Sequence, residues 1–178
     1  MKKIIIPTAA MDYLKTRKRV WLKFLFALVP AIATGLALGF IDFRGDVVIA
    51  NVFRDFVNVQ ISAIAILISF SIAIITILVS ADNPNIKRLK QHLSEDCKPL
   101  DGKRINLFQV LLSNITYGVL VEVVYLVILI FYIFLQLFVC DEWYKVLMAI
   151  SVFFLVHILH ILLESVGQMY MTFWKHEE

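Results

Sequence analysis

The chain has 178 residues, of which 61% are hydrophobic and only 17% are charged, and its formal net charge is +3. This composition is too apolar for a soluble domain, and several uninterrupted apolar runs reach membrane-spanning length. Their continuity favours helices over a β-barrel, which would need many alternating segments of about ten residues. The sequence therefore predicts an all-α, polytopic membrane protein.

Four apolar runs are each close to the ~20 residues that a helix needs to cross ~30 Å of hydrocarbon. We call them spans 1 to 4, and they cover residues 21–41, 61–81, 118–140 and 144–166. Together they predict a single four-helix transmembrane domain over residues 1–178.

The N-terminal segment precedes span 1 and is basic. Its first ~15 residues are amphiphilic enough to lie along the inner membrane surface. A secretory signal also has basic residues before an apolar stretch, but this run is about twenty residues long and lacks a convincing small-residue cleavage site. We expect it to be retained as a membrane anchor.

The lysines and arginines are unevenly divided between the two sides of the membrane. The segment before span 1 and the loop at 82–117 are rich in both residues, whereas the other side carries only Arg44, Arg54 and Lys145. By the positive-inside rule, both termini and the 82–117 loop are cytoplasmic. The segment 42–60 and the turn before span 4 then face outward.

Span 1 contains a ladder of small residues with a spacing of four: Ala27, Ala31, Gly35 and Gly39. Small residues at this spacing permit close approach of another helix in lipid. The ladder predicts helix packing, either inside one subunit or between subunits.

Span 2 carries hydroxyl residues with a spacing of seven: Ser62, Ser69 and Thr76. Such hydroxyls commonly bond the carbonyl four residues earlier in a packed helix. The alternatives are a narrow polar path around a symmetry axis and contact with a substrate.

Before span 2, charged residues interrupt the apolar segment 42–60. This pattern predicts a short amphipathic element on the outer surface.

The cytoplasmic loop begins with the turn former DNPN and continues as IKRLKQHL, which predicts a short helix. Helical periodicity also precedes span 3 and follows span 4, so we expect spans 2 to 4 to be extended into the cytoplasm. These inner ends are basic and aromatic. We predict that they dock a partner through Lys87, Arg88, Lys90, Lys103, Arg104, Tyr170, Phe173 and Trp174.

Span 4 contains HILHILLE, which places His157, His160 and Glu164 on one side of a helix. Glu122 lies about as far before the turn between spans 3 and 4 as His160 lies after it, so a hairpin would bring them to a similar depth. A polar clasp between helices, a proton-linked switch and a metal site are the three interpretations of this intramembrane polar cluster.

Motifs of enzymes are missing: the sequence has no Walker loop, nucleophile elbow, HExxH, EF-hand or dinucleotide fingerprint. We therefore expect no enzymatic activity, no cofactor and no resident metal. Cys97 and Cys140 fall on opposite sides of the predicted membrane, so they cannot pair within one chain.

The chain combines four spans with a basic cytoplasmic face and helical extensions of the inner ends. This layout resembles the membrane subunits of bacterial anti-phage systems, in particular the KwaA family of the Kiwa system. The resemblance implies a protein of the bacterial inner membrane that forms a homo-oligomer, a tetramer, and senses phage-induced perturbation. It also implies a cytosolic effector similar to KwaB as partner. It assigns no role to any individual residue.

Two functions remain in competition on the residues alone. The first is a non-enzymatic sensor or scaffold that recruits a cytosolic effector, with the lipid bilayer as its other partner and no direct contact with nucleic acid. The second is a small oligomeric ion channel or permeability-altering protein. A proton-coupled transporter is disfavoured because the four spans hold no evident inverted repeat or broken midplane helix.

Overall fold

A computed structural model of the chain describes residues 5–40, 48–80, 84–94, 97–100 and 102–174, with side chains between 11 and 170. Within these residues there are six helices: α1 (Ile5–Thr16), α2 (Val20–Phe40), α3 (Ile49–Ser80), α4 (Pro84–Gln91), α5 (Leu107–Leu135) and α6 (Asp141–Trp174). They contribute to two compact units. Unit 1 contains the residues up to 20, 70–120 and from 159 onward; unit 2 contains 21–69 and 121–158.

Helices α2, α3, α5 and α6 are long and apolar enough to cross a membrane. The predicted all-α fold with four candidate transmembrane helices is confirmed. The chain is accordingly a multi-pass membrane protein. The predicted extensions of spans 3 and 4 are also present, because α5 begins at Leu107 and α6 continues to Trp174. Span 2 differs, because α3 ends at Ser80 and the next described residues form the separate helix α4 from Pro84.

The segment before span 2 differs from the prediction. Residues 49–60 are the first turns of α3, so the expectation of a separate amphipathic element is wrong over these residues. The physical reason is burial, because Phe53 and Val57 lie inside unit 2 and hold the segment in one continuous helix. The preceding residues 41–47 lie outside the described part of the chain.

Local sequence fixes where the last two helices begin. The amide of Gln109 donates to the Asn106 side-chain oxygen at 2.8 Å, and the amide of Asn106 donates back to Oε1 of Gln109 at 3.1 Å. This reciprocal pair is a capping box, which satisfies amides that a helix start otherwise leaves without partners. At the start of α6, Asp141 and Glu142 put negative charge at the positive end of the helix dipole.

Unit 2 has an aromatic core. The Phe53 ring is fully buried, with the ring centroids of Tyr144 and Tyr132 at 4.8 and 5.9 Å. The hydroxyl of Tyr125, also fully buried, donates to the Ser151 carbonyl at 3.2 Å. These contacts join α3, α5 and α6 in unit 2.

Unit 1 has an aliphatic core made by Leu78, Ile86, Leu111 and Ile115. Ile86 belongs to the short helix α4, whose other buried residue is Leu89. Because these two residues are three apart, they lie on one face of α4. The basic residues of α4 are therefore left on its exposed face.

Candidate functional site: a buried arginine and a basic surface

Helix α1 is fastened to unit 1 by an aromatic stack. The Tyr13 ring is buried and lies parallel to the Tyr117 ring of α5, with 4.0 Å between the centroids. Offset-stacked or edge-to-face aromatic pairs add ~0.5–1.5 kcal/mol to the free energy of burial. At the end of α1, Thr16 Oγ1 donates to the Asp12 carbonyl at 2.7 Å. Helix α1 therefore packs against α5 instead of extending away from the unit.

The residue after α1, Arg17, is buried in unit 1. Its Nη2 donates to the Val110 carbonyl at 2.9 Å and to the Asn114 side-chain oxygen, and its Nη1 donates to Cys97 Sγ at 2.9 Å. The guanidinium carbon also lies 5.4 Å from the centroid of the Tyr13 ring. These polar and aromatic contacts offset part of the cost of burying the charge, although Arg17 Nε has no hydrogen-bond partner among the described residues.

A chain of hydrogen bonds continues from Asn114 to α6. Asn114 Nδ2 donates to Gln168 Oε1 at 2.9 Å, and Gln168 Nε2 donates to Glu164 Oε1 at 3.3 Å. Glu164 also acts on Tyr13: burial is the main cause that raises the pKa of the Tyr13 hydroxyl, the Glu164 charge raises it further, and the Arg17 charge opposes both. We call Tyr13, Arg17, Asn114, Gln168 and Glu164 the arginine junction.

The loop after α4 closes over this junction by main-chain pairing. The Lys98 amide donates to the Thr16 carbonyl at 2.7 Å, and Arg17 forms an isolated β-bridge with Cys97. Further along, Leu100 and Lys103 exchange two main-chain hydrogen bonds around Gly102, whose φ of 78° favours glycine. This turn presents Lys103 and Arg104 to the exterior.

A cavity of about 490 Å³ lies within unit 1 beside the arginine junction. Thr16 and Asp12 of α1 form one wall, and the cations Lys103 and Arg104 also line it. Ser113 Oγ, another lining group, is buried without a hydrogen-bond partner among the described residues. The cavity therefore combines two cations and the Asp12 carboxylate with hydroxyl and amide groups, which suit a polar ligand.

The predicted docking residues whose side chains are described are exposed on unit 1. This set, which we call the basic surface, comprises Lys87, Arg88, Lys90, Lys103, Arg104 and Tyr170. One of its members is partly ordered by packing, because Lys90 Nζ lies 4.9 Å from the centroid of the Phe108 ring. Phe173 and Trp174 belong to α6, but their side chains lie outside the described residues.

The predicted intramembrane cluster is divided between the units. Glu122 and His157 are buried in unit 2, where the His157 ring stacks on Phe24 at 4.8 Å between centroids. His160 and Glu164 are partly buried in unit 1. The clustering of all four stays a prediction. In the described part of the chain, no group of three or more His, Cys, Asp and Glu residues is arranged to hold a metal ion.

The small-residue ladder of span 1 lies on α2. Ala27 and Ala31 are buried in unit 2, and a Cβ added to Gly35 would lie 3.4 Å from the Ala149 Cβ of α6. A Cβ added to Gly39 would meet nothing within 4 Å. The first three residues of the ladder thus pack inside the subunit, whereas Gly39 borders open space.

The hydroxyl stripe of span 2 is exposed on α3. Ser62, Ser69 and Thr76 donate to the carbonyls of Asn58, Ala65 and Ile72, at 3.1, 3.0 and 2.9 Å. Each hydroxyl is therefore satisfied by its own helix, which lowers the cost of facing lipid. The packing of this stripe against another helix stays a prediction.

Sequence reasoning missed Tyr13, Arg17, Asn114 and Gln168. Arg17 stands in the run TRKR. The sequence alone does not distinguish a buried arginine in this run from the cations that set the membrane topology. Asn114 offered a signal that could have been used, because an amide among the apolar residues VLLSNITY needs a partner. The structure supplies that partner as Arg17.

Comparison with known proteins finds no matching family model, no matching curated sequence and no matching solved structure. The chain is thus described by its fold and chemistry: an all-α, multi-pass membrane protein with a buried arginine junction beneath an exposed basic surface.

Proposed function

We propose that the protein is a non-enzymatic membrane scaffold or sensor that recruits a cytosolic effector through the basic surface of unit 1. The observation that carries this proposal is the way α4 and the 97–106 loop are held. Ile86 and Leu89 anchor α4, while Lys98 pairs with the α1 end, so the cations project from an ordered framework. An ordered cationic surface loses less conformational entropy on binding than a flexible tail would.

The partner surface should be acidic. Five cations lie on the basic surface, and the adjoining cavity offers a recess for a polar side chain of the effector. The positive-inside rule supports a cytoplasmic location for this surface and for both termini. Cations near the membrane also attract anionic lipid, and that attraction is compatible with docking.

The wider setting follows the resemblance to the membrane subunits of Kiwa-type systems. On this proposal the protein resides in the bacterial inner membrane, assembles as a homo-oligomer of four copies, and senses perturbation of that membrane by phage. The effector, similar to KwaB, is held at the inner face until the membrane is disturbed. The stripe exposed on α3 is a surface through which copies could associate.

Site-specific photo-crosslinking in cells tests the docking proposal. A photoreactive amino acid at Arg104 should give one discrete adduct with a soluble protein, whereas the same probe at Trp143, exposed in unit 2, should not. The double change Lys87→Glu and Lys90→Glu should abolish the Arg104 adduct through like-charge repulsion. Lipid-only adducts at Arg104, or an adduct that survives charge reversal, would exclude effector docking there.

A second candidate function is a small oligomeric channel, and the exposure of the α3 stripe favours it. Asn51, Asp55, Asn58, Ser62 and Ser69 share one exposed side of α3 in unit 2. Around a symmetry axis, such a side could line a narrow polar path. Liposomes that leak ions with the natural chain and seal with Ser69→Leu plus Thr76→Leu would support this function over the scaffold.

A further inference from the structure

Unit 2 contains a groove that neither docking nor ion conduction uses. It has a volume of about 690 Å³ and lies between α2 and α6. The two helices run antiparallel there, because Phe24 of α2 lies beside His157 of α6, and Gly35 further along α2 lies beside Ala149, earlier in α6. The groove walls are almost entirely apolar.

Missing side chains create this groove. Gly35 and Gly39 form part of the α2 wall, and Ala149 forms part of the α6 wall. At Gly39, an added Cβ would meet nothing within 4 Å. A large side chain at Gly39 would fill this space, whereas Gly35 lets α2 approach Ala149 closely.

The length of the groove matches one leaflet of a bilayer. On α2 it extends from Leu28 to Gly39 and on α6 from Glu142 to Phe153. At 1.5 Å per residue, each wall is roughly 16 Å long, close to half of the ~30 Å hydrocarbon thickness. The groove therefore extends from a helix end to about the bilayer midplane.

Charges of both signs mark the groove at that helix end. Glu142 and Lys145 lie one turn apart near the start of α6, and both line the groove with Gly39, near the end of α2. No other lining residue is charged. An apolar slot with one ammonium and one carboxylate at its mouth is complementary to a lipid that has an apolar acyl chain and a headgroup with a phosphate and an ammonium.

We propose that this groove binds one glycerophospholipid of the phosphatidylethanolamine type. One of its two acyl chains lies along Gly35, Gly39 and Ala149, its phosphate contacts Lys145, and its primary ammonium donates a hydrogen bond to Glu142. A helix of a second copy fits less well: an α-helix is about 10–12 Å across and would displace roughly 1,500 Å³ over the same length. The proposal is independent of effector docking and depends only on the chain spanning a membrane.

Native mass spectrometry tests the proposal on the full chain, delipidated in mild detergent and then supplied with palmitoyl-oleoyl phosphatidylethanolamine. The natural chain should bind one such lipid. Gly39→Leu should lower that binding at least ~tenfold, equivalent to about 1.4 kcal/mol. Gly167→Leu is the matched control, because a Cβ at Gly167 also meets nothing within 4 Å and Gly167 lies outside the groove. It should bind lipid as the natural chain does.

The headgroup is tested separately, which keeps the proposal decidable if Gly39→Leu does not fold. The natural chain should prefer the ethanolamine lipid over the matching glycerol and choline lipids, and Glu142→Gln should remove that preference, because only the ethanolamine ammonium donates a hydrogen bond to Glu142. Equal binding of all three lipids would show surface lipid only, and undiminished binding by folded Gly39→Leu would place the lipid elsewhere. A dimer lost in Gly39→Leu would assign the groove to a second copy. Each of these results would overturn the proposal.

Discussion

The guanidinium of Arg17 donates a hydrogen bond to the Asn114 side-chain oxygen, which belongs to a residue 97 positions later in the chain. This bond connects the end of α1 to α5, and the same amide of Asn114 continues the connection to Gln168 of α6. The fold of unit 1 thus depends on polar contacts that join the end of α1 to α5 and α6. The basic surface rests on this arrangement.

Removal of the Arg17 guanidinium should release α1. In Arg17→Gln, the Val110 carbonyl and the Asn114 amide lose their donor while they stay buried, which should cost about 2 kcal/mol of stability. Limited proteolysis should then cut the segment around α1 faster than in the natural chain. Arg19→Gln is the control, since Arg19 is exposed and its loss should change neither stability nor cleavage. Equal cleavage of both variants would refute the junction.

Tyr13 should make the stability of unit 1 sensitive to alkaline pH. Burial raises the pKa of its hydroxyl above the ordinary value of 10.0, so the unfolded chain loses this proton first as the pH rises. The stabilising effect of the neutral hydroxyl is complete below pH ~10 and is lost above it, by at most about 1.4 kcal/mol per pH unit.

Tyr13→Phe removes that proton and should flatten the alkaline loss of stability. Thermal unfolding at about pH 8 and about pH 11 measures the effect, and the gap between the natural chain and Tyr13→Phe should narrow at the higher pH. The control is Leu14→Ala, on the exposed side of α1. It should shift the unfolding temperature by the same amount at both pH values. A constant gap for Tyr13→Phe would mean that the buried hydroxyl is not the titrating group.

Helix α4 should detach when its apolar anchor is shortened. Leu89 is 2% exposed, so Leu89→Ala removes buried methyl groups and should cost about 2–4 kcal/mol. Hydrogen exchange of the α4 amides should accelerate, and the photo-crosslink from Arg104 should weaken with it. Leu93→Ala is the control because Leu93 is 51% exposed. Unchanged exchange in Leu89→Ala would disprove the anchoring of α4.

The sequence was sufficient for the membrane class and for the four long helices, because continuous apolar runs have few alternative structures. It was also sufficient for α4, where Pro84 and the basic, amphipathic residues after it define a short helix. The boundary at Ile49 was missed because charged residues such as Arg54 and Asp55 resemble a surface loop. The segment is held as a helix by its opposite side, where the buried Phe53 meets Tyr144, while Arg54 and Asp55 stay exposed.

The arginine junction could not be predicted because long-range contacts decide it. Periodicity placed Glu164 on a helix face with His157, yet the structure bonds Glu164 to Gln168, one turn later. Whether Arg17 is buried depends on α1 turning back to place Tyr13 against Tyr117. No local pattern encodes that turn.

Cysteine labelling with a membrane-impermeant maleimide tests the central claim, that the basic surface faces the cytosol, most directly. Cys140 is exposed after α5, and in Cys97→Ala it is the only thiol of the chain. On intact cells the reagent should label this variant. A second variant with Cys97→Ala, Cys140→Ala and Lys103→Cys should react only after the membrane is permeabilised. Labelling of the second variant on intact cells, with the first protected, would contradict the account and remove the proposed docking surface from the cytosol.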